Sequence, residues 1–320
     1  MRSPVLLRCL SEGPRVGGQA VIEGVMMRSR QRAAVAVRDP EGRIVARVLD
    51  KSLIEQSSPI WRKPFFRGAA NLLDTVRLGM AGLNWSAEVA EGDQGSSRGS
   101  SFLGTALAVI LAVVFFAWLP LKAGIWILPE SSQFAVHLLA GLFRITAFFL
   151  YILAISLIPD IRRVFQYHGA EHQTIHAFER DGESLVEAAT AESPLHQRCG
   201  TSFLLLVMLG AVVFYAVVDS LVVALSGTRL DAHWRLLYHL PLIPLVLGVS
   251  YELLKLADRH LESSAIARAA TYPGMLLQRL TTRRADRSQV EVAVASLRLA
   301  LREDPGPEVT VLRKEEEEPE

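Results

Sequence analysis

Four long apolar runs interrupt an otherwise mixed pattern: residues 102–121 (FLGTALAVILAVVFFAWLPL), 134–158 (FAVHLLAGLFRITAFFLYILAISLI), 202–225 (SFLLLVMLGAVVFYAVVDSLVVAL) and 236–257 (LLYHLPLIPLVLGVSYELLKLA). Each reaches the ~20 residues that a helix needs to cross ~30 Å of hydrocarbon. Four runs of this length exceed what the core of one water-soluble domain uses. The pattern therefore predicts four transmembrane helices.

Elsewhere the period changes. AAVAVRDPEGRIVARVLD reads as two strands around the turn Asp39-Pro40-Glu41-Gly42, where Pro and Gly supply the turn geometry. GGQAVIEGVMMRS, residues 17–29, reads as a strand with bends. It lacks the Lys-Ser/Thr of a phosphate loop and the spacing of a dinucleotide fingerprint, and its one acid, Glu23, is a further candidate site residue. Leu72, Leu73, Val76 and Met80 share one helical face, which predicts an amphipathic helix on that sheet or on lipid. Late in the chain Ser288 and Glu291 have capping-box spacing, followed by Val290, Val294, Leu297 and Leu301 at helical intervals.

The predicted fold is an α-helical polytopic membrane protein with a small α+β N-terminal cytosolic region and a helical C-terminal region. Its parts are a cytosolic region over 1–90, a Gly/Ser linker over 91–101, and a four-helix transmembrane domain over 102–257 containing a cytosolic loop 159–200. A helical region over 258–302 and an acidic, disordered tail over 303–320 follow.

Charge orients the spans. Basic residues are sparse in two connections, with Lys122 in the first and Arg229 and Arg235 in the third. Arg162, Arg163, Arg180 and Arg198 crowd the 159–200 loop, and both terminal regions are basic. Positive-inside puts both termini and that loop in the cytoplasm. The N-terminus has too short an apolar core, with Arg8 inside it, for a signal peptide. Lys+Arg 34 against Asp+Glu 33 gives no support to nucleic-acid binding, and two cysteines, Cys9 and Cys199, argue against a disulfide framework.

The candidate chemistry gathers beside the second and third runs. In YHGAEHQTIH, His168, His172 and His176 fall on one helical face. His168-Gly169-Ala170-Glu171-His172 matches H-x-x-E-H, in which two histidines bind metal and the glutamate handles a proton of water. His196-Gln197-Arg198-Cys199 adds an imidazole and a thiol just before the third run. His168, His172, His196 and Cys199 are therefore the expected ligands and Glu171 the catalytic acid/base. Mixed His and Cys donors suit zinc best among divalent metals. His176, Glu179 and Glu252 are further candidates. If the second helix continues unbroken, His168 lies about 15 Å beyond Ile158, at ~1.5 Å per residue. Within the spans, Arg144 and Asp219 sit at similar counted depths and are expected to form an ion pair.

Several stretches together (GGQAVIEGVMMR, YHGAEHQTIHAFE, HQRCGTSF, SYELLKLA and PGMLLQRLTTR…QVEVAVASL) resemble the YqhQ-like family of bacterial membrane proteins. The resemblance runs from about Gly17 to Leu301 and implies a bacterial inner-membrane protein, described as a predicted metal-dependent enzyme. It implies that His168, Glu171, His172, His196 and Cys199 occupy the motif positions. The chain departs from the pattern at Gln173, where the family often has lysine, and at Arg284-Ala285, where it often has an acid–proline pair.

The leading expectation is metal-dependent hydrolysis of a lipid-linked or membrane-protein substrate at the cytosolic face. Two alternatives belong to other classes. One is a scaffold with a closed, structural four-ligand metal site; the other is an oligomeric ion or solute transporter using Arg144, Asp219 and Glu252.

Overall fold

The computed structural model describes residues 16–29, 32–49, 58–59, 63, 66–91, 98–181, 186–196, 199–259 and 265–312. Strands β1 (Gly17–Val21), β2 (Gly24–Arg28), β3 (Ala33–Arg38) and β4 (Ile44–Leu49) form an antiparallel meander. The β3–β4 turn is the predicted one: Gly42 takes φ +84° and its N–H donates to Asp39 O at 2.9 Å. The stretch read as one bent strand is a hairpin, β1–β2, turning at Ile22-Glu23 with Glu23 left-handed at φ +51°.

Both faces of this sheet are apolar, so both need cover. Val25, Met27, Ala34, Ala36 and Ile44 point one way, and Val21, Met26, Val35 and Val37 the other. Helix α1 (Phe66–Glu91) covers the second face through Leu78 and Trp85. The sheet is thus not the partner of the predicted stripe, because Leu73, Val76 and Met80 stay exposed on the far side of α1.

Beyond α1 the described residues are mainly helical. Helix α2 (Arg98–Val113) passes through a π-helical turn, Val114–Trp118, into α3 (Leu119–Ile127). Residues 98–101, assigned to the linker, are its first turn, and 92–97 lie outside the described residues. Then come α4 (Gln133–Ile155), α5 (Pro159–Asp181), α6 (Val186–Ala191), α7 (Gly200–Ser226), α8 (Ala232–Arg259), α9 (Ala265–Thr281) and α10 (Arg287–Ala300). Ala106–Ile127, Gln133–Ile155, Leu204–Ser226 and Ala232–Leu253 are long and apolar enough to cross a membrane. Their outer side chains are uncovered, with Trp126 80% and Leu225 88% exposed.

Three expectations about helix ends and the tail need correction. The second run does not continue straight into the histidines: the chain turns at Ser156–Ile158, and Pro159 opens a new helix. Proline has no N–H to lose in a first turn and clashes in a helix interior, so the straight-line depth of His168 does not hold. The cap of α10 is Asp286 with Gln289, not Ser288 with Glu291; each side chain bonds the other's backbone N–H. The tail is partly ordered, because β5 (Val309–Leu312) pairs parallel with β4. Residues 313–320 lie outside the described residues.

Helices α5 and α10 cover the first face of the sheet, with Tyr167, Ala170, Ile175, Val290, Val294 and Leu297 in one core. The N-terminal, middle and C-terminal stretches expected on one side of a membrane are a single body.

The expected Arg144–Asp219 pair is not formed. Asp219 Oδ2 accepts from Arg235 at 2.7 Å and lies 2.8 Å from His137 Nε2. Its Oδ1 accepts from Tyr238 at 2.6 Å and lies 2.8 Å from His239 Nε2. Arg144 Nε instead donates to Phe116 O at 2.7 Å. Counting along the runs was too coarse to choose between partners. His137 is in the first turns of α4, as Arg235 and His239 are in α8, whereas Arg144 is seven residues deeper than His137, about 10 Å at ~1.5 Å per residue.

Candidate metal centre

Helix α5 carries the histidine stripe, and the segments around it decide which ring atoms are usable. His168 Nδ1 lies 2.8 Å from Thr281 O, at the end of α9, and 3.3 Å from Thr282 Oγ1. His172 Nδ1 lies 2.6 Å from Pro194 O. A carbonyl only accepts, so in both rings Nδ1 carries a hydrogen, and in the neutral form of each ring Nε2 keeps a lone pair. This is the arrangement by which carbonyls fix the tautomer of metal-binding histidines. The two Nε2 atoms converge with Cys199 Sγ, which is 3.3 Å from His168 Nε2, and the three donor atoms all lie within 4.8 Å of one another.

The other predicted ligand, His196, lies next to this trio, its ring 5.6 Å from that of His172. The His196 backbone is clamped by Gln278, which accepts its N–H at 2.9 Å and donates to its carbonyl at 2.8 Å. Its Nε2 faces Glu179 Oε2 at 3.3 Å, and its ring sits 4.5 Å from that of His176. His176 Nε2 donates to Leu195 O at 2.8 Å. His176, Glu179 and His196 therefore form a polar layer beside the trio.

Glu171, one residue before His172, is 5% exposed. It shares with His168, His172, His196 and Cys199 the wall of a cavity of about 500 Å³, also lined by Val164, Phe165 and Arg28. Strand β1 roofs this wall at Gly18, where an added Cβ would lie 3.1 Å from Glu171 Cγ and nearer still to the Met26 carbonyl. Glu23 does not line the cavity; it ion-pairs with Arg163 and accepts from the Tyr167 hydroxyl at 3.3 Å. That contact latches the strained hairpin tip to α5. Glu252 lies on α8, outside the cavity lining.

Most of this arrangement falls within residues 63–303, which match the model of a family described as protein of unknown function (DUF1385). The chain belongs to the DUF1385 family. It is also similar to the uncharacterized protein YqhQ of Bacillus subtilis (strain 168), 32% identical over 309 residues that cover 90% of this chain and 93% of that protein. No solved structure matches.

Two features of this DUF1385 chain explain how α9 and α10 grip the site. Gly169 lies under the 282–285 segment, and an added Cβ there would collide with the Arg283 carbonyl oxygen. That close approach brings Thr281 O and Thr282 to His168. Gln173 is tied to the same segment, since Ala285 N–H donates to Gln173 Oε1 at 3.0 Å.

Burial pushes the Glu171 carboxyl up, against His168 and His196, which favour its charged form, and a backbone hydrogen bond from Gly18. Burial pushes His172 down, so its imidazole stays neutral, the metal-binding form, below its ordinary titration range near ~6.5. The donor set fits zinc: bonds of ~2.3 Å to sulfur and ~2.0 Å to nitrogen put tetrahedral ligands about 3.5 Å apart. The Sγ–Nε2 spacing of 3.3 Å is close to that. His137, Asp219 and His239 also converge, but the Arg235 guanidinium 2.7 Å from the same carboxylate disfavours a cation there.

Proposed function

We propose that this DUF1385 protein is a metal-dependent hydrolase of the bacterial cytoplasmic membrane. In this reading His168, His172 and Cys199 hold a divalent ion, zinc best, and Glu171 handles the proton. The observation that carries it is the pair of histidines tied through Nδ1 to Thr281 O and Pro194 O, which leaves two Nε2 lone pairs converging on a thiol. Three donors with an adjoining cavity favour catalysis over a structural role, because catalytic sites keep a position open. Bound there, a zinc-type ion would supply Lewis-acid activation.

The chain's own groups do the rest. Glu171 takes the proton that an attacking water releases, and a carboxyl raised by burial is a stronger base than an ordinary one. Gly18 holds that carboxyl in place, and the apolar wall limits bulk water. Val164 and Phe165, lining the cavity, lie in the first turns of α5, just past the end of the second span. That supports a substrate delivered from the membrane, lipid-linked or peptide. The loop arginines put this face, with both termini, in the cytoplasm.

Elemental analysis of the purified protein tests the reading. Wild type should carry close to one zinc per chain, His172→Ala and Cys199→Ser should lose it, and Glu171→Gln should keep it. Glu171→Gln should nonetheless fail to complement a deletion strain, since an amide cannot accept the proton. Full complementation by Glu171→Gln but not by His172→Ala would make the metal structural and sink the hydrolase.

A further inference from the structure

We infer that the four-helix bundle contains a second binding site, a cavity for an anionic amphiphile whose charged head pairs with Arg144. This rests on the four helices crossing a bilayer and is independent of the metal centre. The cavity, about 330 Å³, lies between all four candidate spans. Its volume is within the ~300–1,000 Å³ of small-ligand pockets. Phe116, Val207, Met208, Ile243 and Val246 make its apolar wall, and Arg144, His137, Tyr215 and His239 its polar part.

Arg144 is the group that asks for a ligand. It lies eleven residues from each end of α4, Gln133 and Ile155, so about 16 Å from either end at ~1.5 Å per residue. That is deeper than its side chain can span to reach headgroups. Its Nε donates to the Phe116 carbonyl, which is neutral and leaves the charge uncompensated. Among the described residues no carboxylate pairs with it, because Asp219 is taken by Arg235, Tyr238, His137 and His239. A guanidinium has five N–H donors, and an unpaired charge in hydrocarbon is strongly unfavourable. An anion in the cavity answers both demands, and the apolar wall selects one that carries a hydrocarbon chain.

The surrounding helices depart from regularity at this level. Phe116 lies in the π-helical turn, a feature concentrated at functional sites. On α8, Pro241 and Pro244 flank the lining residue Ile243. Irregular backbone at membrane depth is tolerated where it lines a cavity or is covered by protein.

The test uses the full chain in nanodiscs of phosphatidylcholine, photolabelled with a diazirine fatty acid. Labelling should map to the cavity wall and be competed by oleate, but not by equal concentrations of oleyl alcohol or inorganic phosphate. Arg144→Gln should reduce it about tenfold, while Arg144→Lys keeps most of it. Equal competition by oleyl alcohol, competition by phosphate, or undiminished labelling of Arg144→Gln would each overturn the site. Should Arg144→Gln fail to fold, the wild-type competition decides alone. Resistance of the protein to carbonate extraction from membranes tests the spanning reading separately, and His172→Ala should leave labelling unchanged.

Discussion

Single atoms govern the candidate centre. Its donors are usable because two backbone carbonyls, on residues 281 and 194, occupy the Nδ1 sides of His168 and His172. Gly169 permits one of these contacts by letting the Arg283 backbone lie against α5. Gly169→Ala normally favours a helix by up to ~1 kcal/mol. Here overpacking against a backbone oxygen should reverse the sign and cost about 1–3 kcal/mol. Thermal denaturation should show a lowered midpoint, and metal content should fall with it as His168 loses its carbonyl. A raised midpoint would mean that the 282–285 segment does not dock there.

At the scale of elements, the bundle is tied by Asp219, which joins α7 to α4 and α8 through four side chains. Removing it strands the Arg235 guanidinium, so Asp219→Ala should cost roughly 3–5 kcal/mol. Arg144 belongs to a different set of contacts. In a double-mutant cycle on the detergent-solubilised protein, Arg144→Leu and Asp219→Ala should therefore add to within about 0.5 kcal/mol. A larger coupling would restore the pair that the sequence suggested.

At the scale of the molecule, the sheet, α5 and α10 make one body from three distant stretches of chain. A single body cannot lie on two sides of a membrane, which makes the topology testable at two exposed positions, Glu130 and Glu187. In a Cys9→Ser background, a membrane-impermeant maleimide should label Glu130→Cys on intact cells and Glu187→Cys only after permeabilisation. The positive-inside asymmetry sets this direction. Labelling of Glu187→Cys on intact cells would invert or abolish the four-span arrangement.

The sequence by itself determined the features that depend on neighbours along the chain. Four helices with spanning character follow from runs of ~20 apolar residues. The β3–β4 hairpin follows from Pro40 and Gly42, and the stripe of His168, His172 and His176 from helical spacing. Tertiary structure decided whatever depends on which surfaces meet. The pattern of Leu72, Leu73, Val76 and Met80 marks a face without naming its neighbour, and the sheet took the opposite face of α1. Counting along helices set Arg144 and Asp219 at similar depths, but it could not register Arg235 and His239 arriving from α8. His196 satisfied the motif spacing, but the contacts that place it, Gln278 on its backbone and Glu179 Oε2 3.3 Å from its Nε2, come only with packing. Backbone carbonyls leave no trace in a sequence, because every residue has one. Which of them reaches an imidazole, and so which imidazole nitrogen is left to bind, is fixed only when the chain packs.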